Sequence, residues 1–213
     1  MRLIKTLSLG GFVAVAAMSF AGASPAMAST ALCNTNTDPC ESPYKSLHTT
    51  LTEGHVFKLH GTSPTLNILC LEVLAAGHVG ALGEPQEAEV SELNFGGCGT
   101  NSGHSNCEIE VLETPLYYHI YFLVGLFKAH IEGLFALIII DCEVPFIGHI
   151  ECEYGGEGLA YEMKSAGGEN GHGMLNAAGT ELENVGGAEL LCPDTMEIEE
   201  GLLEPLTDVY LST

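Results

Sequence analysis

Between Leu116 and Ile140 the chain is apolar enough to pass for a membrane span, yet its polar positions recur with the spacing of a strand. Tyr117, His119 and Tyr121 fall on one side of an extended chain, and Tyr118, Ile120, Phe122 and Val124 fall on the other. The alternation resumes with Phe127, Ala129 and Ile131 against Lys128, His130 and Glu132, while Gly125 and Gly133 offer turns or bulges. Leu134 to Ile140, rich in β-branched residues, predicts a strand buried on both faces. A membrane helix is the competing reading. Lys and Glu cost about 2.5 to 3.5 kcal/mol each at mid-membrane against about 0.3 to 0.6 returned by each large apolar residue, so the sum is near zero and the period decides for strands.

The same short-period pattern recurs along the chain between Gly, Pro and Asn punctuation. Leu66 to Leu74 and Glu89 to Phe95 are two such runs, and Cys107 to Glu113 sets Glu108 and Glu110 opposite Ile109 and Val111 as a half-buried strand. Further short strands are predicted over His149 to Tyr154, Gly158 to Met163, Gly173 to Asn176, Ala188 to Leu191, Thr195 to Glu199 and Thr207 to Leu211. Many short strands with abundant glycine predict an all-β fold, a β-sandwich or a barrel-like domain. Apart from His-Ile-Glu at His130 to Glu132 and again at His149 to Glu151, no internal repeat stands out.

The first residues belong outside that fold. Arg2 and Lys5 precede an apolar run from Leu7 to Phe20, followed by Ala26-Met27-Ala28, the small-x-small pattern of a signal-peptidase site. Residues 1–28 read as a signal peptide and 29–213 as a single exported domain, secreted or held at the cell surface. Thr30-Ala31-Leu32 before Cys33 lacks the lipoprotein pattern, and Tyr210-Leu211-Ser212-Thr213 carries no anchor. No stable membrane insertion is expected once the signal is removed.

Charge narrows the partners. The chain carries 28 acidic residues against 6 basic ones, a formal net charge of −22. Such a field repels nucleic acid and anionic lipid; it reads first as the solubility of an exported protein, with a cationic partner or a divalent cation as the alternative. The 8 cysteines, all within the exported part, form an even set in an oxidising compartment and read as disulfides. Proximity pairs Cys33 with Cys40, Cys98 with Cys107 and Cys142 with Cys152, leaving Cys70 for Cys192.

Taken together, Leu32-Cys33 through Pro39-Cys40, Leu93-Asn94-Phe95 through Cys98 to Cys107, and Cys142 through Cys152-Glu153-Tyr154 resemble a group of uncharacterised secreted actinobacterial proteins. Leu191-Cys192-Pro193 and Tyr210-Leu211-Ser212 extend the resemblance over most of the exported chain. The chain departs from that group in lacking tryptophan and in the apolar Leu116 to Ile140. The resemblance implies a β-rich exported domain and brings no activity with it.

Candidate chemistry is sparse. There is no G-x-S-x-G elbow, and the nearest approach to a reactive serine is Ser102 and Ser105 around Gly103-His104. H-E-x-x-H and EF-hand loops are absent. On extended strands His130 and Glu132 point the same way, as do His149 and Glu151. If the two strands were neighbours, these four residues would supply imidazole and carboxylate ligands for zinc, copper or nickel. His48, His55, His60, His78 and His172 rank below them. Glu197, Glu199, Glu200 and Glu204 read as a solvated face, and Gly155 to Gly158 and Gly167 to Gly173 as turns. No cofactor is expected. Three function classes follow in order: a non-catalytic structural or adhesive domain, a ligand- or cation-binding module, and a secreted hydrolase.

Overall fold

The computed structural model describes residues 31–36, 40–81, 85–100, 106–123, 128–133, 136–156, 161–164, 173–187 and 190–212. The expected signal peptide, the Ser102–Ser105 loop, Phe127 and most of Gly167 to Gly173 lie outside the described residues. No helix among the described residues is long and apolar enough to cross a membrane.

The architecture is an eight-pass up-and-down meander in which each pass is two strands in succession. β1 (Ala31–Cys33) comes first. The passes are β2 (Ser46–Leu51) with β3 (Phe57–Thr62), β4 (Thr65–Cys70) with β5 (Glu72–Val79), β6 (Gln86–Gly96) with β7 (Cys98–Thr100), and β8 (Asn106–Val111) with β9 (Leu116–Leu123). They continue as β10 (Lys128–Gly133) with β11 (Ala136–Val144), β12 (Gly148–Gly156) with β13 (Tyr161–Lys164), β14 (Met174–Asn176) with β15 (Glu181–Gly187), and β16 (Thr195–Glu200) with β17 (Leu202–Pro205). β18 (Tyr210–Ser212) follows and pairs with β1.

Neighbouring passes pair antiparallel and the last returns to the first, which closes two eight-stranded rings. One ring runs β2-β5-β6-β9-β10-β13-β14-β17, and the other runs β3-β4-β7-β8-β11-β12-β15-β16. A barrel wall with no free edge at its seams solves the edge-strand problem that an open sheet leaves exposed.

Alternation fills the inside. Ala136, Ile138, Ile140 and Cys142 of β11 are buried while Leu137, Ile139 and Asp141 between them are half-exposed. The expectation of a strand buried on both faces at Leu134 to Ile140 is therefore corrected: a closed ring has one dry side, so even this apolar run keeps period 2. β9 and β10, where the alternation predicts strands, pair antiparallel, with Leu116, Tyr118 and Ile120 inward and Ile131 opposite Ile120.

Several passes are broken between the rings because the inward parity changes there, although β2 and β3 keep theirs, with Thr49 and Leu51 buried on one and Phe57 and Leu59 on the other. Ile68 and Cys70 face inward on β4, but Val73 and Val79 do so on β5, so Leu71 shifts the phase and is left exposed. That is why Leu66 to Leu74 reads as one strand and folds as two. The junction is packed by residues of both rings, including Phe57 and Phe95, whose tilted rings sit 5.1 Å apart. A second phase shift lies on β6, where Ser91 is the extra residue opposite Ala76/Gly77, with Ala88 and Val90 buried before it and Leu93 after; a side chain at Gly77 would collide with the Glu89 carbonyl and the Val90 backbone.

Two other expectations change. Leu190 and Leu191 lie in a turn rather than a strand, and Gly155-Gly156 extend β12 rather than turn.

Four disulfides form: Cys33–Cys40, Cys70–Cys98, Cys107–Cys142 and Cys152–Cys192. The first is the proximity pairing; the expected pairs Cys98–Cys107, Cys142–Cys152 and Cys70–Cys192 are corrected. Cys98 and Cys107 do stand opposite each other across the β7–β8 hairpin. Each strand of a ring has two neighbours, however, and both cysteines bond on their other side. Cys70–Cys98 joins β4 to β7, Cys107–Cys142 joins β8 to β11, and Cys152–Cys192 joins β12 to the β15–β16 turn. The bonds thus stitch one hairpin to the next, where no short turn holds the strands together. Gly187 lets the last stitch close: its φ is 113°, and a Cβ there would meet the Glu151 carbonyl and the Cys152 backbone.

Candidate functional site

The interior of the β2-containing ring is occupied by the protein's own side chains. Leu47, Ala75, Val79, Ala88, Ile120 and Leu175 are among those surrounding an apolar cavity of about 50 Å³. A second void of about 20 Å³ lies at the junction of the rings. Leu32 of β1 enters the first cavity's wall from the end of the ring and is buried there.

Gln86 holds this plug. Fully buried, its Oε1 accepts the Leu32 N–H at 3.2 Å and its Nε2 donates to the Gly80 carbonyl at 3.2 Å. The Tyr44 N–H donates to the Leu32 carbonyl at 2.7 Å, so the plug's backbone is satisfied on both sides. Nothing in the sequence singles out Gln86 except its place at the start of a strand, and sequence reasoning missed it.

The outer wall of the cystine-bearing ring carries carboxylates in rows across strands. Asp141 stands in register with Glu108 on one side and Glu151 on the other. Glu110 and Glu153 flank Ile139 in the next row, and Glu181 opposes Glu197 on β15 and β16. Like charges directly opposite destabilise a sheet by roughly 0.2 to 1 kcal/mol per pair. His149 relieves part of this: its Nδ1 lies 3.2 Å from Asp141 Oδ1, and that hydrogen bond, with the Asp141 charge, raises the imidazole above its ordinary value.

At the seam closing the cystine-bearing ring, β16 to β3, ion pairs replace a disulfide. Lys58 bonds Glu199 and His55 bonds Glu200 at 3.0 Å, and the Lys58 hydrogen bond holds the Glu199 carboxyl below its ordinary value. Of the four acids expected on one solvated face, Glu197, Glu199 and Glu200 lie on β16 at this seam, whereas Glu204 sits on β17 in the other ring. Inside the same ring Tyr154 donates to the Pro193 carbonyl at 3.1 Å, and burial, then the Asp194 charge, push its phenol well above the usual range.

The residues nominated for a metal occupy different rings. His130 and Glu132 point outward from β10, whose neighbours are β9 and β13; His149 and Glu151 point outward from β12, whose neighbours are β11 and β15. The strands of the two His-Ile-Glu copies are not ladder neighbours. Among the described residues no three His, Cys, Asp or Glu side chains are grouped to hold a metal ion.

Fold and surface together define a disulfide-stitched, up-and-down β-barrel with a filled, plugged interior and carboxylate rows on the outer wall of its cystine-bearing ring. No protein-family model, curated protein or solved structure matches the chain.

Proposed function

We propose that the chain is an exported, non-catalytic β-barrel that works through its outer wall, making structural or adhesive contacts with cationic surfaces. The observation that carries this reading is the inversion of space and charge. The interior is packed and stoppered by Leu32, while carboxylates are concentrated outside in rows such as Glu108, Asp141 and Glu151 that work against the sheet's own stability. Four disulfides fit an oxidising, extracytoplasmic setting. Apolar inside and carboxylate outside is the reverse of a membrane barrel, whose lipid-facing band is apolar, and this supports a protein that stays in water after export.

Fractionation of expressing cells tests the reading, together with a wall variant carrying Glu151→Gln, Glu153→Gln, Glu181→Gln and Glu197→Gln. Native protein should appear in the medium or be released from the cell surface by salt, and the variant should lose its salt-sensitive retention. Recovery solely in a carbonate-resistant membrane pellet would overturn the proposal.

A further inference from the structure

The first His-Ile-Glu copy lies on a face with a chemistry of its own. On β9 the outward residues are Tyr117, His119 and Tyr121, three rings in succession along the wall of the β2-containing ring. On one side Glu89 stands in register with Tyr117 and Glu87 with His119. On the other side Glu132 stands opposite His119, and His130 opposite Tyr121. A line of rings thus runs between carboxylates of β6 and β10. Tyr117 is 53% exposed, and Glu87 and Glu132 are exposed beside it.

A carboxylate next to an accessible ring suits a cation with a flat face. A guanidinium pairs with the carboxylate through its fork of N–H donors and stacks on the ring, whereas an ammonium is held as a point charge. The spacing narrows the partner further. His119 and Tyr121 meet edge to face with ring centres 6.2 Å apart. That is close to the ~6.8 Å between every second residue of an extended chain. An extended segment lying along β9 with arginine at alternate positions would therefore set one guanidinium at each ring. Lys128 and Lys164 stand opposite each other in the row beyond His130 and mark the end of the face. A second copy of this chain would bring a net charge of −22 against the same carboxylates.

We propose that the Tyr117–His119–Tyr121 face docks an extended, arginine-bearing peptide segment, its guanidinium groups shared between these rings and Glu87, Glu89 and Glu132. This rests on the reading of the outer wall as the working surface and names the residue type that the wall recognises. The probe is the acetylated, amidated pentapeptide Arg-Gly-Arg-Gly-Arg. Lys-Gly-Lys-Gly-Lys carries the same charge without the planar fork. Arg-Arg-Arg-Gly-Gly has the same composition, but its neighbouring arginines point to opposite sides of an extended chain.

In an NMR titration at low salt the alternating arginine peptide should bind more tightly than either control, and its arginine methylene protons should move upfield as rings cover them. Tyr117→Thr with Tyr121→Thr keeps strand-favouring side chains and should weaken that binding about tenfold, the worth of two exposed cation–π contacts. Glu87→Gln with Glu132→Gln should weaken it about fivefold and flatten its salt dependence. This carboxylate variant, altered only at exposed positions, decides the matter if the tyrosine variant fails to fold. The wall variant defined above should bind like the native protein. Equal binding of the three peptides, or native-like binding by both face variants, would overturn the face; binding lost in the wall variant alone would do so and leave the acidic-wall reading standing. Binding of phosphatidylcholine vesicles that the tyrosine variant loses, with no preference for arginine, would overturn it by naming a quaternary-ammonium headgroup as the occupant. Absence of any salt-sensitive peptide binding would overturn both readings.

Discussion

Replacing Leu32 by Ala tests whether β1 is a structural stopper. The side chain is buried against the ring's interior beside a void of about 50 Å³. Leu→Ala in a core costs about 2 to 5 kcal/mol, more where the surroundings cannot collapse. A closed ladder limits inward movement, and the existing void merges with the new one, so about 3 to 5 kcal/mol is expected. Undocking the β1–β18 ribbon would not relieve this, because Cys33, Tyr44 and Val209 are buried with it and the Gln86 and Tyr44 hydrogen bonds to Leu32 would be lost. At about 2 to 4 °C per kcal/mol for a domain of this size, Tm should fall by about 6 to 20 °C. The enlarged cavity approaches the ~150 Å³ apolar void that accepts benzene, so benzene should recover part of the loss. Thermal denaturation with and without benzene, and exchange of the Leu32 amide, form the assay. A loss under about 1 kcal/mol with the amide still protected would refute the stopper.

The disulfide pairing should appear in non-reduced peptide mapping as four bonds, and removing Cys152–Cys192 by paired Ala substitution should cost about 2 to 5 kcal/mol in denaturant unfolding. The wall variant should gain stability, about 0.4 to 2 kcal/mol at low salt from relieving Asp141–Glu151 and Glu181–Glu197; a loss would mean these pairs do not repel. Tyr154→Phe should cost only about 0.5 to 1.5 kcal/mol, because Asn184 Nδ2 still donates to the Pro193 carbonyl at 3.2 Å. His149 has a folded pKa raised above its unfolded value, so its stabilising contribution is complete below about pH 6.5 and fades as pH climbs through the folded value. In an NMR titration Asp141→Asn should lower it; an unmoved midpoint would assign the shift elsewhere.

Alternation made much of this barrel legible. Ile109 against Glu108 and Glu110, and Tyr118 and Ile120 against Tyr117 and His119, carry their inward and outward faces in their own spacing. β2 and β3 were not legible, because Thr and His in Ser-Leu-His-Thr-Thr-Leu and Phe-Lys-Leu-His-Gly-Thr blur the contrast between faces. Non-local pairing was the larger obstacle. Glu108 and Asp141 are polar positions on separate strands until the ring places them opposite each other, and whether the two His-Ile-Glu copies are neighbours is decided only when β10 and β12 fall into different rings. The same limit governed the cysteines. Sequence proximity found Cys33–Cys40, but the other three bonds lie at the seams between hairpins rather than within them.

That placement bears on how the cystine-bearing ring closes. Its last seam pairs Met196 with Gly61 and contains a bulge at Ile198/Glu200, with Lys58–Glu199 in place of a cystine. In the uncrosslinked chain these partners are about 135 residues apart. Crossing Cys70–Cys98, Cys107–Cys142 and Cys152–Cys192 shortens the connecting path to about 35 links. Loop closure scales as (3/2)RT ln n, so the bridges make the final closure easier by about 1.2 kcal/mol, on top of what each contributes at its own seam. An exposed ion pair is worth about 0 to 1 kcal/mol, too little to hold a seam of that separation unaided. The stitched seams supply the difference, and the one seam left without a covalent bond is the one whose closure the other three have already shortened.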